Sequence, residues 1–222
     1  MKYFNIAIDG PAGAGKSSVA KEVATALGGN YLDTGAMYRA MGLYLLRNGM
    51  DVNDMDMVAA HCHEPQVNVR YENGQQVTML GDEDVSLKIR EEKCAMASSA
   101  VSRVPQVRER LVALQQQIAR GTNLVMDGRD IGTKVLPDAD VKIFLTASAE
   151  VRAQRRVGEL IKHGEQPDYE KILADIKQRD YQDTHRAASP LMKADDAIEV
   201  DTSDMGLEEV IAHICEIARK AI

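Results

Sequence analysis

The chain has 222 residues, with 27 Lys and Arg against 34 Asp and Glu and a formal net charge of −7. Hydrophobic residues at 45% and charged residues at 27% are ordinary for a globular chain and exclude disorder; the length suits one large domain, or a core carrying a smaller insert. The acidic balance disfavours nucleic-acid and membrane-surface partners, because phosphate backbones reward a positive face, whereas a small anion stays open, since a local arginine cluster outweighs the global field at short range.

The opening run, Phe4 to Asp9, alternates Phe4, Ile6 and Ile8 and reads as a mostly buried strand. Asp9 and Gly10 break it too early for a signal peptide. A glycine-rich break from Gly10 to Gly15 leads into Val19, Ala20, Val23 and Leu27 at helical spacing, stopped by Gly28-Gly29. Tyr31-Leu32 is a second short strand, and Asp33-Thr34 can cap the apolar helix around Met37, Met41 and Leu45. Strand, glycine loop, helix and strand in that order open an α/β fold.

Residues 51–105 interrupt the rhythm. His61-Cys62-His63 has no further ligands at zinc-like spacing and reads as helix or loop surface. Pro65 to Tyr71 and Gln76 to Leu80 flank Glu72-Asn73-Gly74, which predicts a small antiparallel hairpin inserted into the main fold. Pro105 then starts a helix carrying Val107, Leu111, Leu114 and Ile118. Leu124 to Asp127 and Val141 to Leu145 are buried-strand candidates; residues 149–190 read as polar, arginine-rich and helical. Ala197 to Val200 is a last short strand, followed by an amphipathic helix from Leu207 to Ile217 capped near Asp204. No window of eighteen apolar residues occurs. Cys62, Cys94 and Cys215 are scattered and odd in number, which points to a reducing, cytoplasmic compartment rather than a disulfide framework.

The strongest chemical signal is Gly10-Pro11-Ala12-Gly13-Ala14-Gly15-Lys16-Ser17, a match to G-x-x-x-x-G-K-[ST] between a strand and a helix. In this phosphate-binding loop backbone N–H groups point inward, Lys16 reaches the β/γ-phosphates, and the Ser17 hydroxyl can ligate Mg²⁺. The buried strand ending in Asp127 has the form of a second Mg²⁺-organising carboxylate, and it runs directly into Gly128-Arg129-Asp130. Downstream, Arg179, Asp183 and Arg186 share a helix face, and Arg152, Arg155 and Arg156 cluster similarly. Each set alone reads as a solvated salt-bridge face. Flanking a turn at residues 164–167, the two helices suggest a mobile cover that brings charge to a transferring phosphoryl. GTPases carry an Asn-Lys-x-Asp base-reading motif, and this chain has none.

Taken with the loop, Asp33-Thr34-Gly35-Ala36-Met37-Tyr38-Arg39, Asp127 to Gly132 and Arg179 to Arg186 make the chain resemble the bacterial cytidylate kinases, from Ile6 to about Val200. That resemblance implies an α/β P-loop kinase fold with a central parallel sheet flanked by helices. Residues 1–50 and 106–222 would form the core, about 51–105 a small antiparallel β-containing monophosphate-binding insert, and about 150–190 a short helical lid. It implies ATP and Mg²⁺ as cofactors, CMP and dCMP as acceptors, and a monomer. Carried over by position, the donor phosphates would lie on Gly10 to Ser18, with Lys16, Asp127, Arg129 and Arg155 catalytic and Ser17 and Asp127 on the metal. Arg39, Arg129 and Arg186 would hold the acceptor phosphate, and Arg179 and Asp183 its sugar. Thr34 and Tyr38 would line the pocket, and Ser99, Arg108 and Asp130 would read the base, with Ser98 and Ser102 as alternatives to Ser99. Thr34 stands where many members have Ser, and Ser18 where Thr or Gly is frequent. The competing readings are a kinase for another nucleoside monophosphate or small acceptor, a P-loop ATPase or nucleotide switch, and a non-enzymatic interaction module.

Overall fold

The computed structural model describes residues 3–186 and 189–222. Strand β1 (Asn5–Asp9) leads through the glycine loop to helix α1 (Lys16–Ala26), then β2 (Asn30–Asp33) and α2 (Thr34–Arg47). Next come α3 (Met55–His61), β3 (Val67–Glu72), β4 (Gln75–Leu80), β5 (Glu83–Asp84), α4 (Glu92–Val101) and α5 (Pro105–Ala119). Then follow β6 (Leu124–Gly128), β7 (Val141–Thr146), α6 (Ala149–Lys162), α7 (Tyr169–His185), β8 (Ile198–Asp201) and α8 (Leu207–Arg219).

Five strands form one parallel sheet in the order β2-β6-β1-β7-β8. Alternation along the strands sends side chains to two separate cores. Ile6, Ile8, Val125, Ile143 and Leu145 pack with Val19, Val23, Val210 and Ile214 of α1 and α8. Ala7, Leu32, Leu124 and Met126 pack on the other side with Met37, Met41, Leu45 and Leu111 of α2 and α5. Both faces are covered, which is why these strands read as continuous apolar runs.

The sheet order puts the carboxyl ends of β1, β6 and β2 side by side, with Asp9 opposite Gly128 and Asp33 opposite Asp127. In an open α/β sheet this edge is where ligands bind. A second sheet, β3-β4-β5, is antiparallel. Its β3–β4 turn places Asn73 and Gly74 at φ 51° and 76°, as a two-residue hairpin requires. Gln76 docks this sheet on the core, accepting the Asp33 N–H at 2.6 Å and donating to the Asp33 carbonyl at 3.3 Å.

The helix after the loop begins at Lys16, where the glycine-rich break ends with Gly15 in the left-handed region (φ 85°). Other expectations shift. The hairpin gains a third strand, β5, whose two residues are too short to show a period. The two basic helices expected around the turn at 164–167 are α6 and α7, with Gly164 (φ 80°) between them. Helix α8 is not capped by Asp204; its N-cap is Gly206, which offers no side-chain acceptor. Cys62 is buried in the core beside Val58 rather than on the surface, while His61 Nδ1 meets Glu64 Oε1 at 2.8 Å. Among the described residues, no helix is long and apolar enough to cross a membrane.

Candidate active site

A cleft of about 980 Å³ opens over the carboxyl ends of β1, β2 and β6. Its floor is the glycine loop. Gly10 sits at φ 151°, and a Cβ there would lie 1.9 Å from the Leu145 carbonyl oxygen, so only glycine fits. Gly13 and Gly15 also take positive φ. Gly13, Gly15, Ala12 and the first turn of α1 face the cleft, whereas Pro11 and Ala14 are buried behind it.

Lys16 is 5% exposed, and its Nζ donates to the Pro11 carbonyl at 2.7 Å. Burial first, and then the Arg129 charge, lower its pKa to about 7 against the pull of Asp127, Asp9 and Asp183. Asp127 ends the buried stretch of β6. Its Oδ2 accepts from Ser17 Oγ at 2.9 Å and its Oδ1 from Tyr31 OH at 2.8 Å, while its main-chain carbonyl accepts from Thr34 Oγ1 at 2.8 Å. Burial and the neighbouring Asp33 push the Asp127 carboxyl up, opposed by Lys16 and the two hydroxyl donors.

Also lining the cleft, Arg108 donates to Asp130 Oδ2, and Arg186 Nη2 lies 3.6 Å from Asp130 Oδ1. The Arg108 guanidinium stands 5.8 Å from the Tyr38 ring centroid, within cation–π range. Arg129 Nε donates to Asp183 Oδ2 at 2.7 Å, and Arg39 pairs with Asp33 at 2.7 Å while Asp33 caps α2. Arg179 and Arg186 are both pushed down, foremost by burial, and then by Arg129 and Arg108 respectively. Buried donors on Arg39 (Nε) and Arg186 (Nη2) have no hydrogen-bond partner among the described residues. Eight basic side chains line the cleft against five carboxylates. In a chain of net charge −7, the positive charge is therefore concentrated where an anion would enter.

Lys16, Ser17, Ser18, Thr34, Tyr38, Arg39, Ser99, Arg108, Asp127, Arg129, Asp130, Arg155, Arg179, Asp183 and Arg186 thus meet in one cavity. Gly10, Pro11 and Ala14 shape the loop without lining it. Ser98, Ser99 and Ser102 all face the cleft, but the hydroxyls of Ser98 and Ser102 donate to the Ala95 and Ser99 carbonyls at 2.8 and 2.9 Å. Arg155 departs from the expected reach toward a transferring group: its guanidinium is tethered to Thr202, at 3.1 Å to Oγ1 and 2.6 Å to the carbonyl.

Sequence reading missed Tyr31, which holds Asp127, and Asp9, whose carboxylate accepts the Ile131 and Gly132 N–H groups. The strand-end logic applied to Asp127 would have found Asp9 as well. The donor set of Ser17 and Asp127 is all oxygen, which suits a hard cation such as Mg²⁺, and Mg²⁺ draws its other ligands from phosphate and water.

A phosphate loop between a buried parallel strand and a helix, a strand-end carboxylate beside its serine, and an arginine-lined cleft define a P-loop kinase. The fold is shared with a gluconokinase from Sinorhizobium meliloti 1021, at TM-score 0.50 and 16% identity over 98% of this chain and 93% of that one. The chain belongs to the cytidylate kinase family, whose model matches residues 6–220. Cytidylate kinases from Mycolicibacterium paratuberculosis and Caldicellulosiruptor bescii are 52% and 46% identical to it. The alignments span 97% and 100% of this chain and 95% and 98% of theirs, respectively.

Proposed function

We propose that this chain transfers the γ-phosphoryl group of ATP to the phosphate of CMP or dCMP. The observation that carries the reading is the pairing of Arg108 with Asp130 in the lining of the cleft. Cytosine presents an amino donor at N4 and acceptors at N3 and O2, which match an Asp acceptor and an Arg donor. Uracil would set O4 and N3–H against like partners, and a buried polar site left unpaired discriminates by up to ~10⁴-fold.

Donor phosphates would rest on the backbone of Gly13 to Ser18, with Ser17 and Asp127 holding Mg²⁺. When bound, the ion neutralises charge on the β- and γ-phosphate oxygens. Lys16 exchanges the Pro11 carbonyl for a phosphate oxygen. Arg39, Arg129 and Arg186 hold the acceptor phosphate, and the two buried donors that make no hydrogen bond among the described residues, Arg39 Nε and Arg186 Nη2, supply hydrogen bonds for it. Arg179 and Asp183 orient the sugar, and Tyr38 and Thr34 pack the pocket beside it. The acceptor phosphate is already an anion at neutral pH, so no general base is needed. Catalysis is alignment and charge stabilisation by Lys16 and Arg129, with residues 51–105 closing over the acceptor and 150–190 over the phosphates.

A coupled assay of ADP release with CMP, dCMP, UMP, AMP and GMP tests this. CMP and dCMP should lead UMP by orders of magnitude. Equal use of another monophosphate would remove the base assignment, and ADP release that needs no monophosphate would make the chain an ATPase.

A further inference from the structure

Arg152 was legible only as one of a basic cluster, yet it is among the most constrained side chains in the molecule. It is 4% exposed and makes four hydrogen bonds on three segments. Nε donates to the Ala147 carbonyl at 2.9 Å, Nη1 to the Ala12 carbonyl of the phosphate loop at 2.9 Å, and the fork closes on Asp180 of α7 at 3.0 and 2.6 Å. None of the roles assigned above uses it. Asp180 sits between two cleft residues of the same helix, Arg179 and Asp183, and Asp183 in turn holds Arg129.

The geometry points to Arg152 and Asp180 as a positioning pair that ties the donor's phosphate loop to the acceptor-binding face of α7, so that filling one subsite strengthens binding at the other. A guanidinium–carboxylate fork fixes orientation as well as distance, and a lysine in the same place could not span the loop carbonyl and both carboxylate oxygens. Movement of the Ala12 carbonyl on donor binding therefore reaches Arg179 and Asp183 through one rigid contact. Lys177 and Glu150 make a second α6–α7 ion pair at 2.9 Å, but both side chains are more than half exposed, and exposed pairs transmit little.

The inference rests on the proposed use of a monophosphate acceptor and an ATP donor, and the test separates the two. CMP affinity is measured by titration calorimetry with and without AMP-PNP and Mg²⁺, on the wild type, Asp180→Asn, Arg152→Lys and Lys177→Ala. The wild type should bind CMP at least about fivefold tighter with AMP-PNP present, the lower range of measured site-to-site coupling. In Asp180→Asn and Arg152→Lys the ratio should fall toward one, with CMP affinity in the absence of AMP-PNP within about threefold, and Lys177→Ala should keep the wild-type ratio. Should one of the two variants fail to fold, the other decides. Wild-type coupling that survives in a folded variant, or that Lys177→Ala abolishes equally, overturns the pair's role, as does CMP binding indifferent to AMP-PNP. A wild type that binds no CMP overturns the functional reading instead.

Discussion

Asp9 Oδ2 accepts the Gly132 N–H at 2.7 Å, and its other oxygen accepts the Ile131 N–H at 2.8 Å. Asp9 is the last residue of β1, directly before the phosphate loop. The two N–H groups begin the turn that follows Arg129 and Asp130. A single buried carboxylate thus fixes the base-side loop to the phosphate loop, with one oxygen for each donor.

That arrangement has a pH signature. Burial raises the Asp9 pKa to about 6, with the two N–H donors opposing the shift. An acid with a raised folded-state pKa binds protons more tightly folded than unfolded. Its contribution is fully present below the unfolded pKa near 4 and is lost as pH rises through about 6, by roughly 3 kcal/mol. Asp9→Asn removes the titration. Urea unfolding of both proteins at several pH values should show the wild type losing about 2 kcal/mol of that relative to the variant between pH 4 and 6.5. Parallel profiles would contradict it.

How much of this was legible follows the range of the interactions. The phosphate loop, the Asn73-Gly74 turn and Pro105 at the start of α5 are local chemistry, and each stands where its residues place it. Helices α3 and α4 passed unread: α3 has one buried residue, Val58, and α4 is built from Ala and Ser with little apolar contrast. The strand order is non-local, so the adjacency of Asp9 to Gly128 and of Asp33 to Asp127 carries no sequence period. The same holds for side chains whose partners are distant. Arg152 and Arg155 lie in one short cluster, yet one reaches the phosphate loop and Asp180 while the other is tied to Thr202, 47 residues away.

The crossing of α2 and α4 makes a second test. Gly42 lies mid-helix, where alanine would ordinarily gain about 1 kcal/mol of helix propensity. A Cβ there would stand 2.7 Å from the Ala97 Cβ and 3.3 Å from its main-chain carbon. Overpacking of this kind costs about 1–3 kcal/mol, and a backbone neighbour cannot rotate away. Gly42→Ala should lower stability by about 1–2 kcal/mol net and shift α4, which carries Ser98 and Ser99 into the cleft. Chemical unfolding checks the sign, and a more stable variant would show that the helices separate without cost.

Lys16 supplies the last prediction. With its pKa lowered to about 7 by burial and by Arg129, the side chain is mostly neutral in the unliganded protein at pH 8. A buried base with a depressed folded-state pKa also makes its contribution to stability rise with pH from about 7 toward 10.5. A polyphosphate in the loop reverses the balance, because opposite charge at contact distance favours the ammonium form. ATP binding at pH 8, where the terminal phosphate is already ionised, should therefore take up close to one proton. Near pH 6, where Lys16 is already charged, its share of the uptake should vanish. Calorimetric titrations in buffers of different ionisation enthalpy report the proton count directly, and Lys16→Met should abolish the uptake at pH 8. Uptake that persists in that variant would place the titrating group elsewhere, and none in the wild type would mean the ammonium is charged before the nucleotide arrives.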